Sequence, residues 1–317
     1  MGMNVAKSTL EMTHQEWLED RRKGIGGSDV AAVLGLNKYK SVYQLWLEKT
    51  GQVEVTSAQS EAAYWGNTLE EVVAEEFSKR TGKKVRKRNQ VFEHQKYPFL
   101  RANVDRDVVG ENAVLECKTA NQYLANEWDD DEIPIQYICQ VQHYMNVLNL
   151  DYVYIAVLIG GQKFLWKKME RDQELIDMIT EKLVEFWTEN VEKGIEPAID
   201  GLKATSDFLT QRYLDTEDNQ TELNAAFDEN IANLARLKGD KKIIEENIML
   251  LENELKQALG KSDATIGITP NNIVSWKKTQ SKRLDKKKLI EKYPDVADDE
   301  DIYSTNVTKR LTIKKIK

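Results

Sequence analysis

The sequence predicts a mixed α/β fold, a central mixed sheet flanked by helices, followed by a C-terminal helical segment and a small strand-containing module. Three observations carry this. Apolar residues recur at threes and fours from Thr13 to about Thr50 and again from Trp65 to Arg80, the period of amphipathic helices. After Thr81-Gly82 the period changes to two, which reads as strands. Beyond Pro134 a helical pattern runs to Leu148, then an apolar strand from Tyr152 to Leu158, a Gly160-Gly161 turn and a strand from Lys163 to Met169. Helix, three strands, helix and strand, in that order, bury their apolar faces best as a sheet covered by helices.

Taken in chain order, the N-terminal helices put Trp17, Leu18, Val30, Val33, Leu34, Leu45 and Trp46 at core positions. The helix from Trp65 to Arg80 buries a stripe of Leu69, Val72, Val73 and Phe77 and closes at Thr81-Gly82 as a C-cap. Three strands, Val85 to Glu93, Leu100 to Val109 and Val114 to Thr119, form an antiparallel meander whose last turn is Gly110-Glu111-Asn112. A long amphipathic helix from Asp172 to Lys193 ends at Gly194. After about Leu202 the composition shifts to charged helix formers. Leu223, Phe227, Ile231, Leu234, Ile244, Ile248, Leu251 and Leu255 then mark one helix, or a pair interrupted near Gly239. Ile273 to Trp276 and Arg310 to Ile313 are strand candidates near the end. The expected division is a core over 1–202, a helical segment over 203–262 and a small basic module over 263–317.

Composition excludes several chemistries. Only two cysteines occur, Cys117 and Cys139, without a CxxC, so neither a disulfide framework nor a structural zinc site is indicated and both read as small core residues. His14, His94 and His143 are scattered, without HExxH spacing. Catalysis therefore has to rest on carboxylates and lysine. The longest apolar stretch, Tyr152 to Ile159, falls far short of the ~20 residues of a membrane span. With no signal-peptide pattern at the N-terminus, a soluble, cytoplasmic protein without a membrane partner is expected. The net charge of −8 argues against a polyanionic partner until its distribution is considered. Lys79 to Arg88 reads KRTGKKVRKR, seven basic residues in ten, and a second basic run covers Lys277 to Lys288. Acid is concentrated in Asp129-Asp130-Asp131-Glu132 and after residue 214, so local positive surface coexists with an acidic total.

The central constellation is Asp105 followed by Glu116-Cys117-Lys118. Asp105 and Glu116 are equidistant from the middle of the Gly110-Glu111 turn, which makes them cross-strand neighbours in a tight hairpin. Period two puts Lys118 on the face of Glu116 and sends Cys117 into the core. Two carboxylates and a lysine on one sheet face suit metal-assisted phosphodiester hydrolysis, with hard oxygen ligands and a cation beside the attacking water. The same pattern also serves as a solvated, charge-paired sheet face. On the preceding helix Glu71 and Glu75 project away from the buried stripe, whereas Glu70 on its flank and Glu76 near its middle are both in reach of such a site. Gln140 and Tyr144, four apart, share a helix face, and Gln142 lies on another. Arg21-Arg22-Lys23-Gly24-Ile25-Gly26-Gly27-Ser28-Asp29 reads as a glycine loop entering a helix capped by Ser28. Such a loop is either a phosphate cradle of backbone N–H groups or a plain helix cap.

In this order the segments resemble the YqaJ-like viral recombinase family, related to lambda exonuclease and to the PD-(D/E)xK nucleases. The matching stretches are Trp17 to Asn37, Tyr43 to Gly51, Trp65-Gly66-Asn67-Thr68-Leu69-Glu70, the Asp105 strand, Leu115 to Thr119 and Gln140 to Tyr144. Together they cover roughly residues 13 to 195. The resemblance implies a restriction-endonuclease-like core in which Asp105 and Glu116 ligate Mg²⁺, or Mn²⁺ in its place, with the Cys117 backbone carbonyl as a further ligand. It implies that Glu70, in preference to Glu76, completes the metal site and that Lys118 orients or activates the water. Gln140 and Tyr144 would support the centre, while Arg21, with Arg22 beside it, and Ser28 would hold a DNA phosphate. One departure is Asn103-Val104-Asp105-Arg106 in place of the wider superfamily's P-D-G, with Asp107 as a less favoured substitute for Asp105. Also implied are linear duplex DNA ends as substrate, 5′-to-3′ digestion leaving 3′ single strands, a single-strand annealing partner, a ring-shaped homo-oligomer, and a phage or prophage protein acting in the bacterial host cell. A restriction- or repair-type endonuclease and a non-cutting recombination scaffold are the alternatives.

Overall fold

Thr13 caps the first helix reciprocally: its hydroxyl accepts from the Glu16 N–H while the Glu16 carboxylate accepts from the Thr13 N–H. This helix, α1 (His14–Arg22), follows a short strand β1 (Asn4–Ser8) and precedes α2 (Gly27–Val33), α3 (Val42–Lys49) and the long α4 (Glu61–Thr81). The computed structural model describes residues 4–53, 61–129, 132–217, 219–297, 299–302, 304, 308–309 and 311–313. It divides into two units, Met1–Arg212 and Tyr213–Lys317.

The first unit has the predicted fold class. Its main sheet is mixed, in the order β2 (Val85–Lys87), β5 (Arg106–Val108), β6 (Val114–Ala120), β7 (Tyr152–Ile159), β8 (Lys163–Glu170), and only the β6–β7 pair is parallel. A separate three-stranded sheet joins β1 to β3 (Gln90–Glu93) and β4 (Arg101–Ala102). The strands expected over 85–93 and 100–109 therefore each break in two. Both break at one level, where the Arg88 N–H donates to the Asp105 carbonyl, and beyond it the two segments form a second sheet in which β3 pairs with β1 on one side and with β4 on the other. The break leaves Asp105 in a bend just before β5 rather than within a strand.

Helix α4 covers one sheet face, packing Val73, Ala74 and Phe77 on Leu115, Tyr154 and Ala156. Val72, expected in this stripe, is exposed, because facing Val73 and Ala74 to the sheet turns it outward. The opposite face is covered by α5 (Ile135–Leu148), whose Cys139, Val141 and Met145 join Ile25, Val30, Leu45, Leu100 and Val153 in the main core. Cys117 packs against the α4-side cluster, so both cysteines serve as small core residues. The expected helix over 172–193 is α6 (Gln173–Glu185), capped by Asp172 and continued by a π-helical turn, Phe186–Glu192. Helix α7 (Lys203–Arg212) also belongs to this unit, with Phe208 edge-on to Tyr43.

In the second unit α8 (Ala226–Lys261) runs through Gly239 without the expected interruption. Ion pairs Arg236–Asp240, Lys241–Glu245 and Lys242–Glu246 bracket the glycine. At roughly 0.3–0.5 kcal/mol each they offset a glycine penalty of about 1 kcal/mol. Ile273–Ser275 pairs with Ile266–Ile268 as a hairpin, and Lys286–Lys288 of the second basic run open a short helix. Of the other strand candidate, Arg310 lies outside the described residues and Leu311 to Ile313 are in no strand; Asp130 and Asp131 of the acidic run also lie outside them. No described helix is long and apolar enough to cross a membrane.

Candidate active site

Alternation along β6 turns Leu115 and Cys117 toward α4 and leaves Glu116 and Lys118 on the face that meets α5. The β5–β6 ladder pairs Arg106 with Leu115 and Asp107 with Val114, so one further step brings Asp105 opposite Glu116. An Asp105 carboxylate oxygen accepts from the Cys117 N–H at 2.8 Å, which fixes the acid beside Glu116.

Glu116 is 3% exposed. Its Oε1 accepts from Lys118 Nζ at 2.6 Å and from Gln140 Nε2 at 2.6 Å, and Gln140 Nε2 also donates to the Tyr144 hydroxyl at 2.8 Å. The two α5 residues thus act as one group, and Gln142 turns away to donate to the Glu170 carbonyl. Glu116 Oε2 is buried with no hydrogen-bond partner. Burial, and then the neighbouring Glu116 charge, hold the Asp105 carboxyl well above the usual range. Burial pulls the Lys118 ammonium down, but Glu116 and Asp105 outweigh it and keep the group charged. Burial, reinforced by the same acids, pushes the Tyr144 hydroxyl up. Two buried acids share one lysine, and an unsatisfied buried oxygen costs about 1–3 kcal/mol. A hard divalent cation fits this deficit of positive charge, with Asp105 and Glu116 to hold it.

Glu70 does not join them. Arg106, almost wholly buried, points to the α4 face and takes Glu70 and Glu71 together, donating to Glu70 Oε1 through Nη1 and to Glu71 Oε2 at 2.8 Å through Nη2. The Glu70 charge is still felt at Asp105. Among the described residues no group of three His, Cys, Asp or Glu is gathered for a metal. Glu76 is occupied by Arg80 and Lys79. Asp107 is buried and its carboxylate is taken up by Arg86 and Arg88.

A cleft of about 300 Å³ is lined both by Asp105, Glu116, Gln140 and Tyr144 of this centre and by Arg21 and Ser28 of the N-terminal segment. Arg21 Nη2 donates to Ser28 Oγ at 2.8 Å, and the guanidinium lies 4.8 Å over the Trp17 ring. Arg22, a helix step of about 100° further on, is turned out of the cleft and donates to the Val53 carbonyl at 3.2 Å. The cap of α2 is Gly26, not Ser28, and Asp29 accepts from the Gly26 N–H at 3.2 Å. That amide is therefore satisfied internally, and the Arg21 guanidinium and the Ser28 hydroxyl are bonded to each other at the cleft. Sequence reading missed Arg106, whose signal was a charged residue where a glycine was expected, and Lys49, which is taken up below.

Gly27 sets the distance between loop and α5. A Cβ there would lie 2.4 Å from Tyr144 Cε1 and 3.0 Å from Gln140 Cγ. Gly27→Ala is expected to destabilise by about 1–3 kcal/mol and to lower activity by displacing Gln140 from Glu116. Thermal melting and rate measurements check this, with Gly26→Ala as reference, since a Cβ at Gly26 meets only an Asp29 oxygen at 3.8 Å.

The fold and this centre define a mixed α/β protein with a cleft lined by two buried acids, one of them bonded to a lysine. The profile of the YqaJ-like viral recombinase domain matches residues 16–151. Uncharacterized protein YqaJ of Bacillus subtilis strain 168 is 48% identical over 315 residues, 98% of each chain. The chain belongs to the YqaJ-like viral recombinase family. Among solved structures, the alkaline exonuclease LHK-Exo of Laribacter hongkongensis matches with TM-score 0.49 and 21% identity, over 57% of this chain and 94% of that one. A phage-related exonuclease of Haemophilus somnus 129PT matches with TM-score 0.44 and 15% identity, over 54% and 96%.

Proposed function

We propose that this chain is a Mg²⁺-dependent DNA exonuclease of phage recombination type that digests linear duplex DNA from 5′ ends and leaves 3′ single strands for an annealing partner. The observation that carries the reading is one cleft lined both by Asp105 and Glu116, the latter bonded to Lys118, and by Arg21 and Ser28. Asp105 and Glu116 would hold the cation, which when bound would supply a Lewis acid for the phosphate and for the water. Lys118 keeps an ammonium beside the scissile phosphate, orienting water and stabilising charge on the phosphoryl oxygens. Gln140, backed by Tyr144, fixes the rotamer of Glu116. Arg21 and Ser28 hold the terminal 5′-phosphate through charge-assisted bonds. Water attacks phosphorus, the phosphorus–O3′ bond breaks, and the proton passes to solvent or to the departing 3′-oxygen. The new end again carries a 5′-phosphate, so each cycle regenerates the group that Arg21 and Ser28 bind.

The test is digestion of end-labelled linear duplex, with and without a 5′-phosphate, beside a closed circle, in Mg²⁺, in Mn²⁺ and in EDTA. Loss of the linear substrate alone, faster with the phosphate and absent in EDTA, is expected. Cutting of the circle assigns an endonuclease, and no cutting by folded protein assigns a DNA-binding scaffold.

A further inference from the structure

Two buried charges sit behind the Arg21–Ser28 end of the cleft and have no part in the chemistry above. Lys49 lies in the segment Tyr43 to Gly51, which carries family resemblance without a role, and its side chain is 4% exposed, as is that of Asp29. Charges are removed from water this completely only when paired and hydrogen-bonded. Lys49 Nζ donates to Asp29 Oδ2 at 2.7 Å and to the Arg21 main-chain carbonyl at 2.7 Å. One ammonium therefore ties the last turn of α1, which carries Arg21, to the first turn of α2, which carries Ser28.

Asp29 completes the tie. Its Oδ2 also accepts from the Gly26 N–H, which fixes the loop, and its Oδ1 lies 3.6 Å from Arg21 Nη2. The distances decide the division of labour. Because Asp29 is bonded to Lys49, it steers the guanidinium without neutralising it, and Arg21 gives its short bond to the uncharged Ser28 hydroxyl. Two cations against one anion leave a net positive charge, and the exposed member, Arg21, lines the cleft. An arginine already held in one rotamer loses less freedom on meeting an anion, which is how preorganisation raises affinity.

We infer that Lys49 and Asp29 are positioning residues that hold Arg21 and Ser28 at the spacing that reads a terminal phosphate. The inference rests on the proposed role of Arg21 and Ser28 at a DNA 5′ end. It is tested with the full chain and two duplexes that differ only in a 5′-phosphate or a 5′-hydroxyl, by fluorescence anisotropy in EDTA and by steady-state rates in Mg²⁺. Lys49→Met alone strands a buried carboxylate, so the informative variant is Lys49→Met with Asp29→Asn, which removes both charges together; melting and circular dichroism establish that it folds. Its preference for the phosphorylated end is expected to fall about tenfold, the loss of roughly one charge-assisted contact, carried by KM rather than kcat. Lys49→Arg is expected to restore most of it. Arg21→Ala should lose the same preference, and combining it with the double variant should add little, since both act through one group. Retention of the preference by the double variant, while Arg21→Ala loses it, would overturn the inference, as would an equal loss on both ends. If Arg21→Ala itself keeps the preference, the phosphate reading of Arg21 fails, and the positioning inference falls with it.

Discussion

Glu116→Gln and Lys118→Met are each expected to lower Mg²⁺-dependent digestion of linear duplex DNA by roughly a thousandfold or more, the scale on which proton-transfer and electrostatic groups act. Glu116→Gln keeps the shape of the side chain and its place beside Gln140 but removes the charge that, with Asp105, balances a divalent cation. Lys118→Met keeps the stem and its packing near the Tyr137 ring, over which the ammonium now sits at 5.0 Å, and removes only the charge. Each substitution leaves the other member of a buried ion pair without its counter-charge and lowers the melting temperature, so circular dichroism first establishes that each variant is folded at the assay temperature. Mn²⁺ binding followed by calorimetry should weaken sharply in Glu116→Gln and much less in Lys118→Met, because only the first removes a ligand. Digestion by either folded variant within tenfold of the natural rate would remove this centre from the reaction. Gln140→Ala should fall between, since Gln140 acts through the orientation of Glu116.

Much of this centre was legible because its geometry is local. Equal distances of Asp105 and Glu116 from one turn, alternation along β6 and a four-residue step on α5 each fix a relation without knowledge of the rest of the chain. What escaped depends on contacts distant in sequence. The breaks at 88–89 and 103–105 interrupt no hydrophobic pattern; beyond them β3 and β4 pair with each other and β3 with β1 in a second sheet, a partnership distant in sequence. Whether Glu70 faces an ion or a guanidinium is decided by Arg106, which the main sheet presents from 36 residues away. Lys49 at the end of α3 reads as an ordinary last-turn cation, and only the packing of α1 and α2 over it makes it a buried partner of Asp29. The offset of α2's start from Ser28 to Gly26 is the one- to two-residue uncertainty inherent in helix ends, yet it decides which groups face the cleft.

His143 gives the second large effect, on stability against pH. It is almost fully buried on α5 between the residues that brace Glu116, and its Nε2 lies 2.9 Å from the Arg101 carbonyl. Because a carbonyl only accepts, that nitrogen carries the proton of the neutral ring. Burial lowers its pKa from 6.5 to about 4. Between those values the unfolded chain takes up a proton that the folded protein refuses, so the unfolded state gains stability as pH falls. The contribution is fully present above pH 6.5 and shrinks by about 3 kcal/mol by the time pH reaches 4, at 1.36 kcal/mol per unit. Urea unfolding at pH 7.5 and 4.5, followed by tryptophan fluorescence, measures it, since six of the seven tryptophans precede Arg212. His143→Gln, which cannot titrate, should lose much less stability between the two pH values than the natural chain. An equal loss in both would assign the acid sensitivity to carboxylates instead. The cost of protonation lies in keeping a charged ring away from water on α5, since the Arg101 carbonyl by itself favours the charged form. Gln140 and Tyr144 ride on that helix, and digestion should therefore fall in the same pH window in which the fold weakens.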